Sequence, residues 1–318
     1  MLDEVVSRNR RRMVLVTTAA VVNYWVAVSI FGGIAVWSVI LKLADAGDDG
    51  DVAVPGRLIG VSSLAIGVVV AFVTVVWQVR SIRPRTLRGL GAAELALGEF
   101  PVLDDILAGV ALAAGTDPVE AALVDDPAPN VLAVGRRPSD TSIVVTTGLI
   151  EKLTMDELEA VLAAEMCAIR RLDTALQSVA VACTSGAITV HMLWRDRPNL
   201  GSMLTWPSMA CGALLRRWVL RSGDFGQDDM AIAITRHPEA LLRALQKLRS
   251  DPAVVETLST QTAPLWFEPV PHDDRRRAWL YQRLSFTPSL DERITRLARR
   301  YTPTDRIGPS RTRRVGEI

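Results

Sequence analysis

The chain has 318 residues, enough for one sizeable domain together with membrane elements. Hydrophobic residues make up 49% of it and the mean hydropathy is +0.23, high for a purely soluble protein. A net charge of +1 gives no overall field to attract nucleic acid, which is excluded as a partner. Residues 1–12 form a basic segment containing Arg8, Arg10, Arg11 and Arg12. Residues 13–41 follow, with Asn23 as their only strongly polar side chain, ample to cross a hydrocarbon core of about 30 Å. A second apolar run, residues 58–79, has only Ser62, Ser63, Thr74 and Gln78 as polar members. The two predict a transmembrane hairpin over residues 13–80; the first is too long for a signal peptide, and a second span follows it. Arg80, Arg83, Arg85 and Arg88 follow the second span, while the connecting loop carries Asp45, Asp48, Asp49 and Asp51. The positive-inside rule therefore predicts a multi-pass protein of the cell membrane, with both ends of the hairpin and the main domain in the cytoplasm. Lipid headgroups are the ordinary partners of such arginine clusters, including Arg311, Arg313 and Arg314 in the basic tail, residues 301–318.

Between them, residues 85–300 form the main domain, entered through an Arg- and Pro-containing linker at 82–89. Residues 91–114 read as mostly helical, and 120–124 as a strand ended by Asp125-Asp126-Pro127-Ala128-Pro129. Residues 130–134 and 142–147 are rich in β-branched side chains and bounded by turn formers, predicting a hairpin or adjacent strands. Thr154 with Glu157 three residues on is a capping box, so a helix starts there. Its apolar positions Leu158, Val161, Leu162, Cys167 and Ile169 form no single stripe, as expected of a helix buried on most sides. Two apolar stretches follow, 174–194 and 200–215, readable as a second membrane hairpin or as a buried helical pair. Helices are predicted over 239–249 and 291–300, with 251–275 as loop. Cys167, Cys183 and Cys211 lie in apolar surroundings without a Cys-x-x-Cys pair and read as buried small hydrophobes.

The capped helix ends in Val161-Leu162-Ala163-Ala164-Glu165-Met166-Cys167-Ala168. A zinc peptidase of the HExxH kind needs two imidazoles one helical turn apart and a glutamate directly after the first. Here Glu165 stands in the glutamate position, but Ala164 and Ala168 occupy the flanking ones, and methyl groups cannot bind a metal. Residues four apart share a helix face, so the two methyls sit where imidazoles would converge. His191, His237 and His272 lack helical spacing to another His or Cys. Thr184-Ser185-Gly186 lacks a general base, and Gly89-Leu90-Gly91 lacks the rest of a phosphate-binding loop.

Three segments resemble the HtpX-type membrane zinc metallopeptidases, relatives of the CAAX prenyl endopeptidases. The first runs from Asn130-Val131-Leu132-Ala133-Val134-Gly135 through Ile143-Val144-Val145-Thr146-Thr147-Gly148-Leu149-Ile150 to the helix and Asp173. The second is Gly223-Asp224-Phe225-Gly226-Gln227-Asp228, and the third Phe286-Thr287-Pro288-Ser289-Leu290-Asp291-Glu292-Arg293-Ile294. The resemblance implies an α+β, mainly α, gluzincin-like metallopeptidase domain with transmembrane helices. It also implies a substrate groove along an edge strand at Ile143, Val145 and Thr146. In the family two histidines and a distant glutamate hold zinc; here those positions are Ala164, Ala168 and Asp224, and the Thr-His-Pro histidine is Thr287.

The expectation is a degenerate member with no cofactor, a pseudopeptidase that binds or regulates membrane proteins, peptides along the edge strand, or a peptidase partner. Glu165 is then a vestigial catalytic residue, accepting hydrogen bonds from an edge strand or pairing with Arg170 or Arg171. Asp173 and Asp228 become supporting residues that pin helices. The alternative is an active HtpX-like metalloendopeptidase with an atypical metal site in membrane-protein quality control. A carboxylate cluster of Glu165, Asp224 and Asp228 holding Mg²⁺ or Ca²⁺ is also open.

Overall fold

Helical geometry begins at the second residue. The computed structural model describes residues 2–46, 56–96, 98–194, 225–253, 255, 265–267 and 288–301; in parts of 31–46, 56–60 and 184–194 it describes the backbone path alone. Helix α1, Leu2–Ala46, takes the basic segment into the same rod as the first apolar stretch, so residues 1–12 are not a separate element. Helix α2, Gly56–Arg80, returns beside it. Both are long and apolar enough to cross a membrane. Their outward side chains, among them Val22, Val26, Ile66, Phe72 and Val73, are exposed, a surface suited to lipid and not to water. Gly67 sets their closest approach: a Cβ there would lie 2.5 Å from Ser29 Oγ.

Residues predicted as a linker form helix α3, Ile82–Leu90, instead. Pro84 is tolerated because the first turn needs no internal amide donor, and Gly91 closes the helix in the left-handed conformation at φ +63°. The sheet that follows has the order β1-β2-β4-β3. Its strands are β1 (Ala93–Glu94), β2 (Glu120–Val124), β3 (Val131–Gly135) and β4 (Thr141–Thr146). Helix α4, Pro101–Ala114, connects β1 to β2.

Strand β4 pairs in parallel with β2 and antiparallel with β3, so both its flanks are taken. This corrects the groove expected at Ile143, Val145 and Thr146, all of which are 0% exposed. Thr146 turns its hydroxyl to the backbone, donating to the Ala128 carbonyl at 2.7 Å and capping helix α5, Thr147–Lys152, at Leu149 N. Gly148 admits the preceding loop: a Cβ would lie 2.1 Å from the Pro127 carbonyl oxygen. Strand β3 is an outer strand of the four-stranded sheet, and Trp266 bridges to it at Leu132.

Helix α6, Met155–Arg170, starts in the capping box read from Thr154 and Glu157, and Lys247 Nζ donates to Glu157 at 2.6 Å. Every residue from Ala160 to Ile169 is buried, as the missing stripe implied. It lies on one sheet face with α4 and with α8 (Gly226–Thr235), α9 (Pro238–Ser250) and α10 (Leu290–Tyr301). The opposite face shares a core with the membrane hairpin: Leu132, Val134 and Val144 cluster with Val16, Ala71 and Val75. Helix α7, Asp173–Trp194, enters this layer, and Ser178 Oγ accepts from Gly135 N at 3.1 Å. Residues 175, 176 and 178–183 are buried there; the rest of the second predicted membrane hairpin, 195–215, lies outside the described residues.

Candidate functional site

Helix α6 presents Ala164, Glu165 and Ala168 to the interior, at 0%, 8% and 3% exposure. Burial pushes the Glu165 carboxyl up to about 8; the Arg293 guanidinium opposes this and the Asp228 carboxylate adds to it. At neutral pH the acid is therefore mostly protonated. Neither Arg170 nor Arg171 pairs with it, contrary to the expectation. Arg171 Nε donates to Asp173 Oδ2 at 2.7 Å, and the Arg170 guanidinium lies against Gly115. Among the described residues its charged neighbours come from α8 and α10.

Those neighbours form a closed fork. Arg293 Nε donates to Asp228 Oδ2 at 2.9 Å and Nη2 to Oδ1 at 2.6 Å, with both side chains buried. The Phe267 ring covers the guanidinium at 4.0 Å. Around them α10 clasps the start of α8: Arg296 Nη2 donates to Asp229 at 2.7 Å and stacks over Phe225. Sequence reasoning missed Arg293 as a site residue. The signal was its spacing, since Leu290, Arg293 and Leu297 share one helix face and all three are buried.

Asp173 works just beyond the C-terminal end of α6, not at Glu165. Asn9 Nδ2 donates to Asp173 Oδ1 at 2.6 Å and to the Arg171 carbonyl at 2.9 Å, fastening α1 to the corner between α6 and α7. Arg171 reaches Gly226, which has no room for a Cβ beside the guanidinium. Asp228 thus pins α8 to α10, and Asp173 pins α1 to α6. Asp224 and Thr287 lie outside the described residues, as do His272 and Cys211. His237 is exposed at the N-terminus of α9. Burial pushes the Cys167 thiol up to about 12, leaving it an inert packing residue.

Zinc requires three or four strong donors around one point. Among the described residues no three His, Cys, Asp or Glu side chains converge on such a point. Ala164 and Ala168 offer methyls, Glu165 holds its proton, and both Asp228 oxygens already face a guanidinium. Beside the protonated Glu165 stands the Asp228–Arg293 pair, opposite charges already joined to each other. The described residues alone do not fit zinc; the carboxylate cluster considered for Mg²⁺ or Ca²⁺ includes Asp224, which lies outside the described residues.

Residues 100–301 match the family model described as peptidase family M48. The chain belongs to peptidase family M48. It is similar to the protease HtpX homologue of Streptococcus equi subsp. equi (strain 4047), at 27% identity over 260 residues, 74% of this chain and 84% of that protein. The homologue of Dictyoglomus turgidum is 29% identical over 252 residues, covering 73% and 81% of the two chains. That of Dictyoglomus thermophilum is 30% identical over 227 residues, covering 66% and 73%. With two exposed apolar helices joined to the domain's core, this is an HtpX-type, membrane-associated member of M48.

Proposed function

We propose that this M48 chain is a pseudopeptidase: a membrane-anchored protein that keeps the HtpX-type fold and binds or regulates membrane proteins, or a peptidase partner, without cutting. One observation carries the reading. The face of α6 that would present metal ligands carries Ala164 and Ala168, and the intervening Glu165 is buried beside a carboxylate already forked to Arg293. Burial favours the protonated form of Glu165, whose value is raised to about 8, and the methyls of Ala164 and Ala168 offer no donor to hold a metal that would activate water. Arginines flanking both spans favour a multi-pass orientation with the domain in the cytoplasm.

The test is elemental analysis of the full-length protein purified in lipid nanodiscs, paired with a peptide-cleavage panel. The expected result is substoichiometric zinc and no chelator-sensitive cleavage. One zinc per chain, lost together with cleavage in Asp224→Ala, overturns the reading in favour of an active endopeptidase with an atypical site.

A further inference from the structure

The arginines that follow the second span are put to different uses. Arg83 turns to the sheet: its Nε donates to Ser142 Oγ at 2.7 Å, and its guanidinium pairs with Glu94, Glu120 and Asp140. Its charge is neutralised within the protein. Arg85 and Arg88 meet no carboxylate among the described residues, and Arg88 Nε donates to the Pro84 carbonyl at 2.9 Å. The helical ladder runs on across the junction of α2 and α3. Ser81 N donates to the Trp77 carbonyl at 2.9 Å, and Arg85 N to the Ser81 carbonyl at 3.0 Å. Trp77, Ser81, Arg85 and Arg88 therefore share one helix face on successive turns. The Arg85 guanidinium lies over the Trp77 ring, 3.8 Å from its centroid, and Trp77 itself is 61% exposed. Tryptophan at the end of a span sits at headgroup level, so the stack holds a guanidinium at the depth of lipid phosphates.

That guanidinium is under-satisfied. Its Nη2 is buried with no hydrogen-bond partner among the described residues, while the side chain as a whole is only partly buried. Burial, and then the Arg88 charge beside it, hold the Arg85 guanidinium below its ordinary pKa. Arginine keeps its proton regardless, so titration does not relieve the cost. Water would satisfy the orphan N–H and leave two like charges side by side. A phosphate ester meets both needs, because its oxygens accept from a guanidinium fork and carry the opposing charge.

We propose that Arg85 and Arg88, with Trp77 steadying the first, form a binding site for a phosphate ester, met as the anionic headgroup of a phospholipid or as a small soluble ester. A merely basic rim attracts anions in proportion to its charge, whichever arginine supplies it. A site depends on which arginine is removed. Cleavage plays no part in this assignment, so it stands or falls apart from the pseudopeptidase reading.

The test is native mass spectrometry of the full-length protein in detergent, titrated with dioleoylphosphatidylglycerol, dioleoylphosphatidylcholine or glycerol phosphate. Wild type is expected to retain phosphatidylglycerol more tightly than phosphatidylcholine, whose choline cation opposes the second arginine. Arg85→Gln and Arg88→Gln should each weaken retention about tenfold, the scale of one charge-assisted hydrogen bond. Arg85→Lys keeps the charge, loses the planar fork, and should weaken it as well. Arg10→Gln removes the same charge from an exposed position on α1 and should change retention less than about twofold, since no bilayer surface potential acts in detergent. Retention of phosphatidylglycerol alone, with this arginine dependence, supports the site and gives it to lipid; retention of glycerol phosphate with the same dependence supports it and gives it to a soluble ester. Equal losses in Arg10→Gln and Arg85→Gln, an Arg85→Gln protein that binds as wild type does, or no retention of either ester overturns it. Arg88 is exposed, so Arg88→Gln decides alone should Arg85→Gln not fold.

Discussion

Replacing Glu165 by glutamine tests the electrostatics on which the site rests. The ordinary glutamate value is 4.5, and in the folded protein burial raises it to about 8. Below pH 4.5 folded and unfolded chains both hold the proton, so wild type and Glu165→Gln should be equally stable. Between 4.5 and 8 the unfolded chain has released a proton that the folded chain keeps. Stability then falls with rising pH, because folding takes up a proton that is increasingly scarce. Above 8 the full difference is in place, about 4–5 kcal/mol at 1.36 kcal/mol per pH unit. Glutamine has nearly the same shape and no proton to lose, so Glu165→Gln should keep the stability that wild type loses. For a domain of this size the separation amounts to about 10 °C or more in midpoint at pH 9. Thermal melts of the nanodisc-embedded protein from pH 4 to pH 9 provide the measurement. Parallel curves for the two proteins across that range would refute the buried neutral acid and, with it, the argument that Glu165 cannot serve as a base.

The Arg293 fork gives a second outcome: Arg293→Met leaves Asp228 buried without a counter-charge and should cost about 3–5 kcal/mol. Combining it with Asp228→Leu should recover much of that loss, which a double-mutant cycle measured by denaturant unfolding will show. Gly148→Ala forces a methyl against the Pro127 backbone and should destabilise by roughly 1–3 kcal/mol, read as a lower melting midpoint at unchanged helicity. Gly67→Leu drives a side chain into Ser29 and Trp25; it should loosen the α1–α2 pair and lower the melting temperature while the protein still resists alkaline extraction from membranes.

What was legible in the sequence was whatever depends on short range. The spans needed only apolar length, the α6 start needed only Thr154 and Glu157, β3 and β4 announced themselves by β-branched residues between turns, and β2 by the turn formers that end it. Strand order is different, because it is decided by partners distant in the chain. The run Ser142-Ile143-Val144-Val145-Thr146 was assigned to an edge through resemblance, yet its apolar residues do not alternate with polar ones. That pattern belongs to a strand covered on both faces, which the structure places in mid-sheet. Helix α3 was hidden behind Pro84 and three arginines, whose effect in a first turn is mild. The bridge at Trp266 was invisible within a Pro-containing stretch, since three residues carry too little periodicity to read.

The two pinning carboxylates show how this fold couples its membrane hairpin to its central helix. Asp173 is reached by Asn9 from α1 and by Arg171 from the end of α6, and Arg171 in turn packs on Gly226 at the first residue of α8. Two residues further on, Asp228 passes the connection to Arg293 of α10, which lies against the Phe267 ring. A displacement of α1 therefore meets a run of contacts, part-buried at Asp173 and buried at Asp228 and Arg293, that ends at the Phe267–Val131 bond on β3. Each link is a directed hydrogen bond or a close packing contact, so small movements are transmitted and not absorbed. In a peptidase such rigidity would serve the alignment of ligands and water. In the pseudopeptidase proposed above, the same rigidity would serve binding in place of catalysis.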